Sequence, residues 1–163
     1  MNIILIGMPA SGKTTVAGVF AARGKKVYDT DAEIVNKYGE ISAIFENFGE
    51  GYFRELETET VRALSGLDGV VIATGGGCVL RAENVRLLKS KGKIIYLKTR
   101  PETLLRRVGA GSGRPLLRGD AEGKLFRLYA ERAPVYEAAA DFTVETDGLS
   151  PEKIADKITE ILR

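Results

Sequence analysis

The first residues of the chain have types and spacing suited to binding phosphate. Residues 7–14 read Gly-Met-Pro-Ala-Ser-Gly-Lys-Thr and match the pattern G-x-x-x-x-G-K-[ST] at every fixed position. In this pattern the glycines let backbone amides point at one phosphate, Lys13 neutralises the β- and γ-phosphates, and the Thr14 hydroxyl can bind Mg²⁺. The motif follows a short apolar run and opens a helical segment, as it must. We therefore predict a nucleotide site; a plain strand–turn–helix junction is the alternative.

Two acids lie where a phosphate acceptor would be expected. Asp29-Thr30-Asp31 follows a marginal strand at 26–28 and precedes a helix. If this strand ends beside the phosphate loop, one acid can hold Mg²⁺ through water while the other holds the acceptor hydroxyl and takes its proton, and the residues alone do not say which is which. The alternative is structural, with Asp31 as a helix cap or first-turn acid.

Three glycines, residues 75–77, follow the apolar run at 70–73. Glycines at a strand end let the backbone approach a ligand closely, although a tight turn is the alternative. Arg54 and Glu57 have the spacing of an intrahelical salt bridge. The functional interpretation is that Glu57 orients the Arg54 guanidinium to bind a carboxylate with two hydrogen bonds. Arg132 is a second candidate for that task, and the sequence does not say whether it meets Arg54.

The composition excludes several kinds of chemistry. The 163 residues include no histidine and one cysteine, Cys78. Histidine-dependent catalysis, histidine zinc sites and intrachain disulfides are therefore impossible, and Cys78 is expected to be a buried, unreactive thiol. A net charge of +2 gives no reason to expect nucleic acid binding. No apolar run approaches the ~20 residues that span a bilayer and no basic leader is visible, so we expect a cytoplasmic protein that binds no membrane.

Among nucleotide-binding proteins, the sequence favours a small-molecule kinase. The guanine-reading motif N-K-x-D is absent, because Asn36-Lys37 is followed by Tyr38-Gly39. The strand at 70–73 ends in Thr74 and glycines, not in the acids typical of ATPase motors. Residues 100–132 carry a net charge of +4, against +2 for the whole chain. This local excess favours a compact anionic ligand, although solvated helix faces would look the same.

Short apolar runs alternate with segments of helical length. Besides 70–73, the runs lie at 3–6 and 94–97, with weaker ones at 26–28 and 142–144. Runs without polar alternation are typical of strands covered on both faces, so the pattern predicts a three-layer α/β domain with a parallel sheet. The predicted helices cover residues 13–23, 32–38, 42–48, 51–65, 82–90, 101–108, 122–138 and 151–162.

Proline and glycine mark the helix ends. Ser150-Pro151 predicts a cap followed by proline at the first helical position, and Pro101 is placed similarly. Left-handed glycines are expected after four helical segments, at Gly24, Gly39, Gly66 and Gly92. Residues 109–119 contain four glycines and two arginines, a composition typical of a mobile lid.

Together these motifs resemble those of the shikimate kinases, in the nucleoside-monophosphate-kinase-like group of P-loop proteins. The resemblance extends over essentially all 163 residues. Six motifs carry it in the same order, at residues 7–14, 29–31, 53–57, 75–77, 114–117 and 132–136.

The resemblance implies a three-layer α/β/α P-loop kinase fold with a five-stranded parallel sheet in the order 2-3-1-4-5 and a mobile lid. It implies one domain over 1–163, with a core of 1–30, 67–108 and 120–163, an acceptor-binding helical segment 31–66 and the lid 109–119. The implied reaction transfers the γ-phosphate of ATP, with Mg²⁺, to the 3-hydroxyl of shikimate, a step of aromatic amino-acid biosynthesis. The implied partners are shikimate and ATP, and the expected state is a monomer.

The resemblance also assigns roles to residues. Asp31 is the candidate base and binds ring hydroxyls, Arg54 and Arg132 hold the shikimate carboxylate, and the backbone of Gly75, Gly76 and Gly77 receives the ring. Arg114 closes over the phosphates as a catalytic residue together with Lys13 and Asp31, while Arg107 and Pro151 pack on the adenine. The expected nucleotide contacts in the phosphate loop are Gly7, Met8, Pro9, Ala10, Ser11, Gly12, Lys13, Thr14 and Thr15.

Two features depart from the family pattern. Ala10 stands where many relatives have glycine, for which we expect a small change in loop geometry. Residues 146–150 lack an arginine that some relatives carry near the adenine. Two other functions stay open at this stage: a kinase of another hydroxy acid such as gluconate, and a nucleotide-binding module without catalysis.

Overall fold

One parallel sheet forms the centre of the computed structural model, which describes residues 1–110 and 121–163. Its strands are β1 Asn2–Ile6, β2 Val27–Asp29, β3 Val71–Ala73, β4 Gly92–Lys98 and β5 Phe142–Glu145. They lie in the order β2-β3-β1-β4-β5, and each neighbouring pair is parallel. The predicted sheet and its strand order are confirmed.

Helices connect these strands, and each predicted helix is present with ends within two residues of those expected. None of the described helices is both long enough and apolar enough to cross a membrane. A short 3-10 helix, Cys78–Leu80, follows the triple glycine. The α-helices are α1 Lys13–Ala22, α2 Thr30–Tyr38, α3 Ile41–Phe48, α4 Glu50–Ser65, α5 Ala82–Lys91, α6 Pro101–Ala110, α7 Ala121–Ala139 and α8 Pro151–Ile161.

The sheet separates two apolar cores, because successive side chains of a strand point to opposite faces. On one face Ile4 and Ile6 pack with residues of α4, α5, α6 and α7. On the other face Leu5 packs with residues of α1 and α8. All three side chains are fully buried, and burial of each such side chain contributes about 1.5–3 kcal/mol. The continuous apolar strands are therefore explained by helices on both faces.

Helices α2, α3 and α4 have a small core of their own. Ile34, Ile44, Phe53 and Leu56 are buried against one another. These residues lie within the segment 31–66 that was expected to bind the acceptor. The predicted lid covers residues 109–119. Residues 109 and 110 form the end of α6, and the rest of the lid, including Arg114, lies outside the described residues.

The carboxyl ends of β1, β2 and β3 meet at one edge of the sheet. The register pairs Leu5 and Asp29 with the same residue, Ala73. The phosphate loop after β1, the acids at the end of β2 and the glycines after β3 are therefore neighbours, as ligand sites of open parallel sheets require.

Glycines after helices follow the prediction at two of four positions. Gly24 and Gly39 have φ values of 89° and 96°. The prediction was wrong for Gly66, which keeps a right-handed helical conformation (φ −72°), and for Gly92, which is extended (φ −145°). Gly92 is instead required by packing, because a Cβ there would lie 2.9 Å from the carbonyl oxygen of Asn2 and 3.0 Å from that of Leu88. The predicted Ser150 cap is confirmed by its bond from the Lys153 amide at 3.2 Å.

The packing at Gly92 predicts the stability of two alanine variants. Gly92→Ala should lower the free energy of unfolding by about 1–3 kcal/mol, because both obstructing atoms belong to the backbone and cannot swing away. Gly18→Ala is the matched control: it lies within α1 with open space around it and should raise stability by about 0.5–1 kcal/mol. Urea denaturation measures both, and equal stability of Gly92→Ala and the wild type would contradict the packing argument.

Candidate active site

The phosphate loop connects β1 to α1 as the motif predicts. Gly12 stands at the start of α1 with φ 97°, in the left-handed region that favours glycine. The Nζ atom of Lys13 donates to the carbonyl oxygens of Gly7 at 2.5 Å and Met8 at 3.0 Å. The lysine therefore folds over its own loop, and its charge lies beside the space enclosed by the loop.

Ala10 also has a left-handed conformation, with φ 68°, although it carries a Cβ. Such a conformation costs a non-glycine residue about 1–2 kcal/mol, so alanine at this position carries strain that glycine would not. Arg107 stabilises it, because its Nη1 atom donates to the Ala10 carbonyl at 2.9 Å. Arg107, which the family resemblance places on the adenine, therefore also connects α6 to the phosphate loop through this hydrogen bond.

Burial dominates the titration of Lys13. Its side chain is 9% exposed, and the loss of hydration lowers its pKa to about 8, while the nearby carboxylates of Asp31 and Asp29 act in the opposite direction. A phosphate group entering the loop would supply the negative charge that this lysine lacks.

The two acids divide their tasks. Asp29 caps α2, since its Oδ1 accepts from the Ala32 amide at 3.0 Å, and its Oδ2 accepts from the Thr14 hydroxyl at 3.3 Å. Asp31 lies in the first turn of α2. Burial and the negative charge of Asp29 raise the pKa of Asp31, while Lys13 and Arg54 oppose the rise. Asp31 is therefore a stronger base than an ordinary aspartate, and the cap belongs to Asp29.

The absence of side chains at residues 75–77 makes room for charged groups. A Cβ on each glycine would clash with a different charged side chain, so any larger residue would force that side chain to move. The three distances are 2.6 Å from Gly75 to Asp31 Oδ1, 2.9 Å from Gly76 to Arg132 Nη1 and 2.5 Å from Gly77 to Arg54 Nη2. The turn expected as the alternative is also present, with the Cys78 amide bonded to the Gly75 carbonyl at 3.1 Å. We call residues 75–77 the glycine seam.

Arg54 is held by two acids of its own helix. Its Nη1 atom lies 2.9 Å from Glu57 and its Nη2 atom 3.3 Å from Glu50. Glu57 is 1% exposed and burial raises its pKa, so this pair is not a solvated surface ion pair. The intrahelical salt bridge is therefore real, and it also fixes the guanidinium against Gly77.

Arg132 reaches the seam from α7. One turn further along that helix, Tyr136 donates from its hydroxyl to the Gly76 carbonyl at 2.7 Å. On the other side of the seam, the Thr30 hydroxyl accepts from the Gly75 amide at 2.9 Å. The sequence reasoning missed both hydroxyls as site residues, although Tyr136 belongs to the motif at 132–136 and Thr30 separates the two acids.

A cleft of about 570 Å³ connects the phosphate loop with Asp31, Gly75 and Gly76. Arg54 and Arg132 do not line it; they lie against the adjoining glycines. The apolar residues Leu149 and Ile154 line it on both sides of Pro151 and were not predicted, although their spacing around the proline could have indicated them. The other lining residues are Pro9, Ala10, Ser11, Gly12, Lys13, Thr14, Thr15, Val16, Asp29, Asp31, Thr74, Gly75, Gly76 and Arg107.

Cys78 follows the seam and is fully buried as a free thiol. Burial raises its pKa well above the ordinary value, and a thiol that stays protonated is a poor nucleophile. The expectation of an unreactive cysteine agrees with this environment.

Comparison with known proteins decides the family. The family model described as "Shikimate kinase" matches residues 9–163. A shikimate kinase of Caldicellulosiruptor bescii is 43% identical over 163 residues, covering 98% of this chain and 94% of the relative. A shikimate kinase structure from Acinetobacter baumannii, in complex with shikimate, has a TM-score of 0.90 at 38% identity and covers 99% of this chain and 92% of that one. The chain belongs to the shikimate kinase family.

Membership in the shikimate kinase family makes the chain an ATP-dependent kinase, and the site can be tested for Mg²⁺. Hard oxygen donors suit this ion, which usually keeps several waters and binds one or two protein groups plus phosphate. The neighbouring oxygens of Thr14 and Asp29 have this character. These two donors fit an ion that keeps several waters and arrives with the nucleotide. In residues 1–110 and 121–163 no group of three or more Cys, Asp or Glu side chains is placed to hold a metal ion.

The buried Lys13 predicts a specific pH dependence of stability. Between pH 8 and 10.5 the unfolded chain keeps a proton that the folded chain has released, so stability should rise with pH in this window, by at most about 1.4 kcal/mol per pH unit. The unfolding free energy of the wild type minus that of Lys13→Met should therefore increase from pH 7.5 to pH 10. A difference that stays constant or falls would contradict the burial of this charge.

Proposed function

We propose that this chain transfers the γ-phosphoryl group of ATP to the 3-hydroxyl of shikimate. The hydroxyl oxygen forms a bond to the γ-phosphorus, and the bond from that phosphorus to the β–γ bridging oxygen breaks. ADP departs with the electron pair, and the hydroxyl proton passes to the Asp31 carboxylate. The raised pKa of Asp31 suits this task, because a carboxylate with a raised pKa accepts a proton more readily than an ordinary aspartate.

The observation that carries the proposal is the convergence on the glycine seam. One acid and two arginines, which are 23 to 101 residues apart in the sequence, each occupy the space of one missing Cβ. An acid suits a hydroxyl, and two guanidinium groups suit a carboxylate. Shikimate presents both groups on one ring. Asp31 would then hold the alcohol while Arg54 and Arg132 hold the acid.

On the nucleotide side, Lys13 and the loop amides would bind the phosphates, and Arg107 and Pro151 would bracket the adenine. Both of these residues line the cleft that contains Lys13. We assign Mg²⁺ to Thr14 directly and to Asp29 through water; when bound, the ion would neutralise charge on the transferred phosphoryl group. Arg114, which lies outside the described residues, is proposed to approach the phosphates on the basis of its motif.

We further propose that the chain works as a cytoplasmic monomer. Within one chain, Asp31, Arg54 and Arg132 already meet the same three glycines. The unpaired Cys78 suits a reducing compartment.

A coupled assay of ADP release tests the proposed function. With Mg-ATP, release should accelerate at least a hundredfold when shikimate is added, and the product should be shikimate 3-phosphate by mass spectrometry. Gluconate, a hydroxy acid without the shikimate ring, should give no acceleration. Equal turnover with and without shikimate, or faster turnover with gluconate, would contradict the proposed function.

Asp31→Asn should lower kcat about 10²–10⁴-fold, because the amide cannot accept the hydroxyl proton. The Kd of ATP should stay within threefold, since the phosphate loop is unchanged. The matched control is Glu33→Gln, which removes an acid from the same helical turn and should keep wild-type kcat. Undiminished kcat in Asp31→Asn would remove this residue as the base.

Gly77→Ala should weaken acceptor binding. The added Cβ would lie 2.5 Å from Nη2 of Arg54, so the guanidinium must move and strain its ion pair with the buried Glu57. The melting temperature should therefore fall by several degrees, and the KM of shikimate should rise tenfold or more, about 1.4 kcal/mol. Gly51→Ala, on the same helix as Arg54 with open space around it, is the control with an unchanged KM. A Gly77→Ala enzyme with the wild-type KM would show that Arg54 does not bind the acceptor.

A further inference from the structure

Tyr136 has a buried ring and a hydroxyl directed at the glycine seam. The residue is 1% exposed, and its ring packs on that of Tyr96 with the centroids 5.2 Å apart. A buried phenol needs a hydrogen-bond partner, because an unpaired hydroxyl would lose its hydration without compensation. The partner is the Gly76 carbonyl, at 2.7 Å. The Tyr136 hydroxyl is therefore the polar atom by which this buried aromatic pair contacts the backbone of the candidate active site.

This hydrogen bond fixes a peptide that is already confined from two sides. A Cβ on Gly76 would lie 2.9 Å from Nη1 of Arg132 and 3.1 Å from Cδ of Pro9. The backbone is therefore caught between the phosphate loop and α7. Since the peptide unit is planar, the bond to the Gly76 carbonyl also sets the direction of the Gly77 amide on its opposite side.

Arg132 lies four residues earlier on α7, and residues at this spacing are neighbours on one helix face. Its Nη1 atom lies against the same glycine whose carbonyl accepts from the Tyr136 hydroxyl. Burial raises the pKa of Tyr136, and the charge of the Arg132 guanidinium opposes the rise. The phenol therefore remains protonated near neutral pH and can donate to Gly76. A hydroxyl can donate one hydrogen bond and accept another, whereas phenylalanine can do neither.

We propose that Tyr136 is a positioning residue for the acceptor: its hydroxyl holds the Gly76 peptide and the Arg132 guanidinium in one fixed arrangement. The inference rests on the proposed function, because it assumes that the seam and Arg132 receive shikimate. It adds to the proposed function that the Tyr136 hydroxyl aligns two parts of the acceptor site, the Gly76 peptide and Arg132, which lie far apart in the sequence. Tyr136 acts through them and touches no reacting atom.

Tyr136→Phe tests this role, because it keeps the ring and removes only the hydroxyl. The Kd and KM of shikimate should rise about five- to twentyfold. The kcat should stay within threefold, because Asp31 and the phosphate loop are unaffected. The Kd of ATP, measured by calorimetry without shikimate, should stay within twofold.

Tyr96→Phe is the matched control. It removes the hydroxyl of the other buried ring of the same pair, which has no hydrogen-bond partner among the described residues, and should leave the KM of shikimate unchanged. An unchanged shikimate Kd in Tyr136→Phe would overturn the inference. So would an equal rise in Tyr96→Phe, or a matching rise in the Kd of ATP, since either would indicate only a loosened core.

A double variant tests the connection to Arg132. If Tyr136 acts partly through this arginine, Tyr136→Phe combined with Arg132→Lys should raise the shikimate Kd by less than the product of the two single effects. A rise equal to that product would contradict the connection. The wild-type chain distinguishes the two claims. If it does not bind or phosphorylate shikimate, both the proposed function and the inference fail. If the wild type is active and Tyr136→Phe has the wild-type Kd for shikimate, only the inference fails.

Discussion

Close approach at three adjacent glycines is the constraint on which the candidate site depends. Side chains from α2, α4 and α7 reach the end of β3 because residues 75–77 have no Cβ to keep them away. The space freed by the glycines is taken by charged groups, which explains why the segment is more than a turn. The backbone there is held by hydroxyls on both sides, at Thr30 and Tyr136. A wall built in this way can present an acid and two guanidinium groups to one small molecule.

Electrostatic balance follows from the same arrangement. Lys13, Asp31 and Glu57 are all shielded from water, and burial shifts the pKa of each towards its neutral form. Opposite charges limit these shifts: Asp31 and Asp29 favour the charged form of Lys13, and Arg54 favours the charged forms of both Asp31 and Glu57. The proposed function places one anion of the ligands at the lysine and a second at the arginines. Phosphate and carboxylate are the two anions that the proposed reaction supplies.

Much of this architecture follows from the sequence, because its signals are local. The phosphate loop is encoded by spacing within residues 7–14, and each predicted strand and helix is present, since apolar runs and amphipathic segments determine which faces are buried. Contacts between distant residues have no such signal. The pairing of Gly77 with Arg54 depends on how α4 packs across the sheet, and the sequence could show only that both were candidates. The prediction for Gly92 was wrong for a different reason. A glycine after a helix can be needed for close packing against a strand as well as for a left-handed turn.

A crystal structure of the chain with shikimate and ADP would show whether one small molecule meets all three charged groups at the glycine seam. The shikimate carboxylate should lie within hydrogen-bond distance of both Arg54 and Arg132. A ring hydroxyl should lie on Asp31 and face the β-phosphate held above Lys13. A ring bound away from residues 75–77, or a carboxylate that contacts neither arginine, would contradict this arrangement.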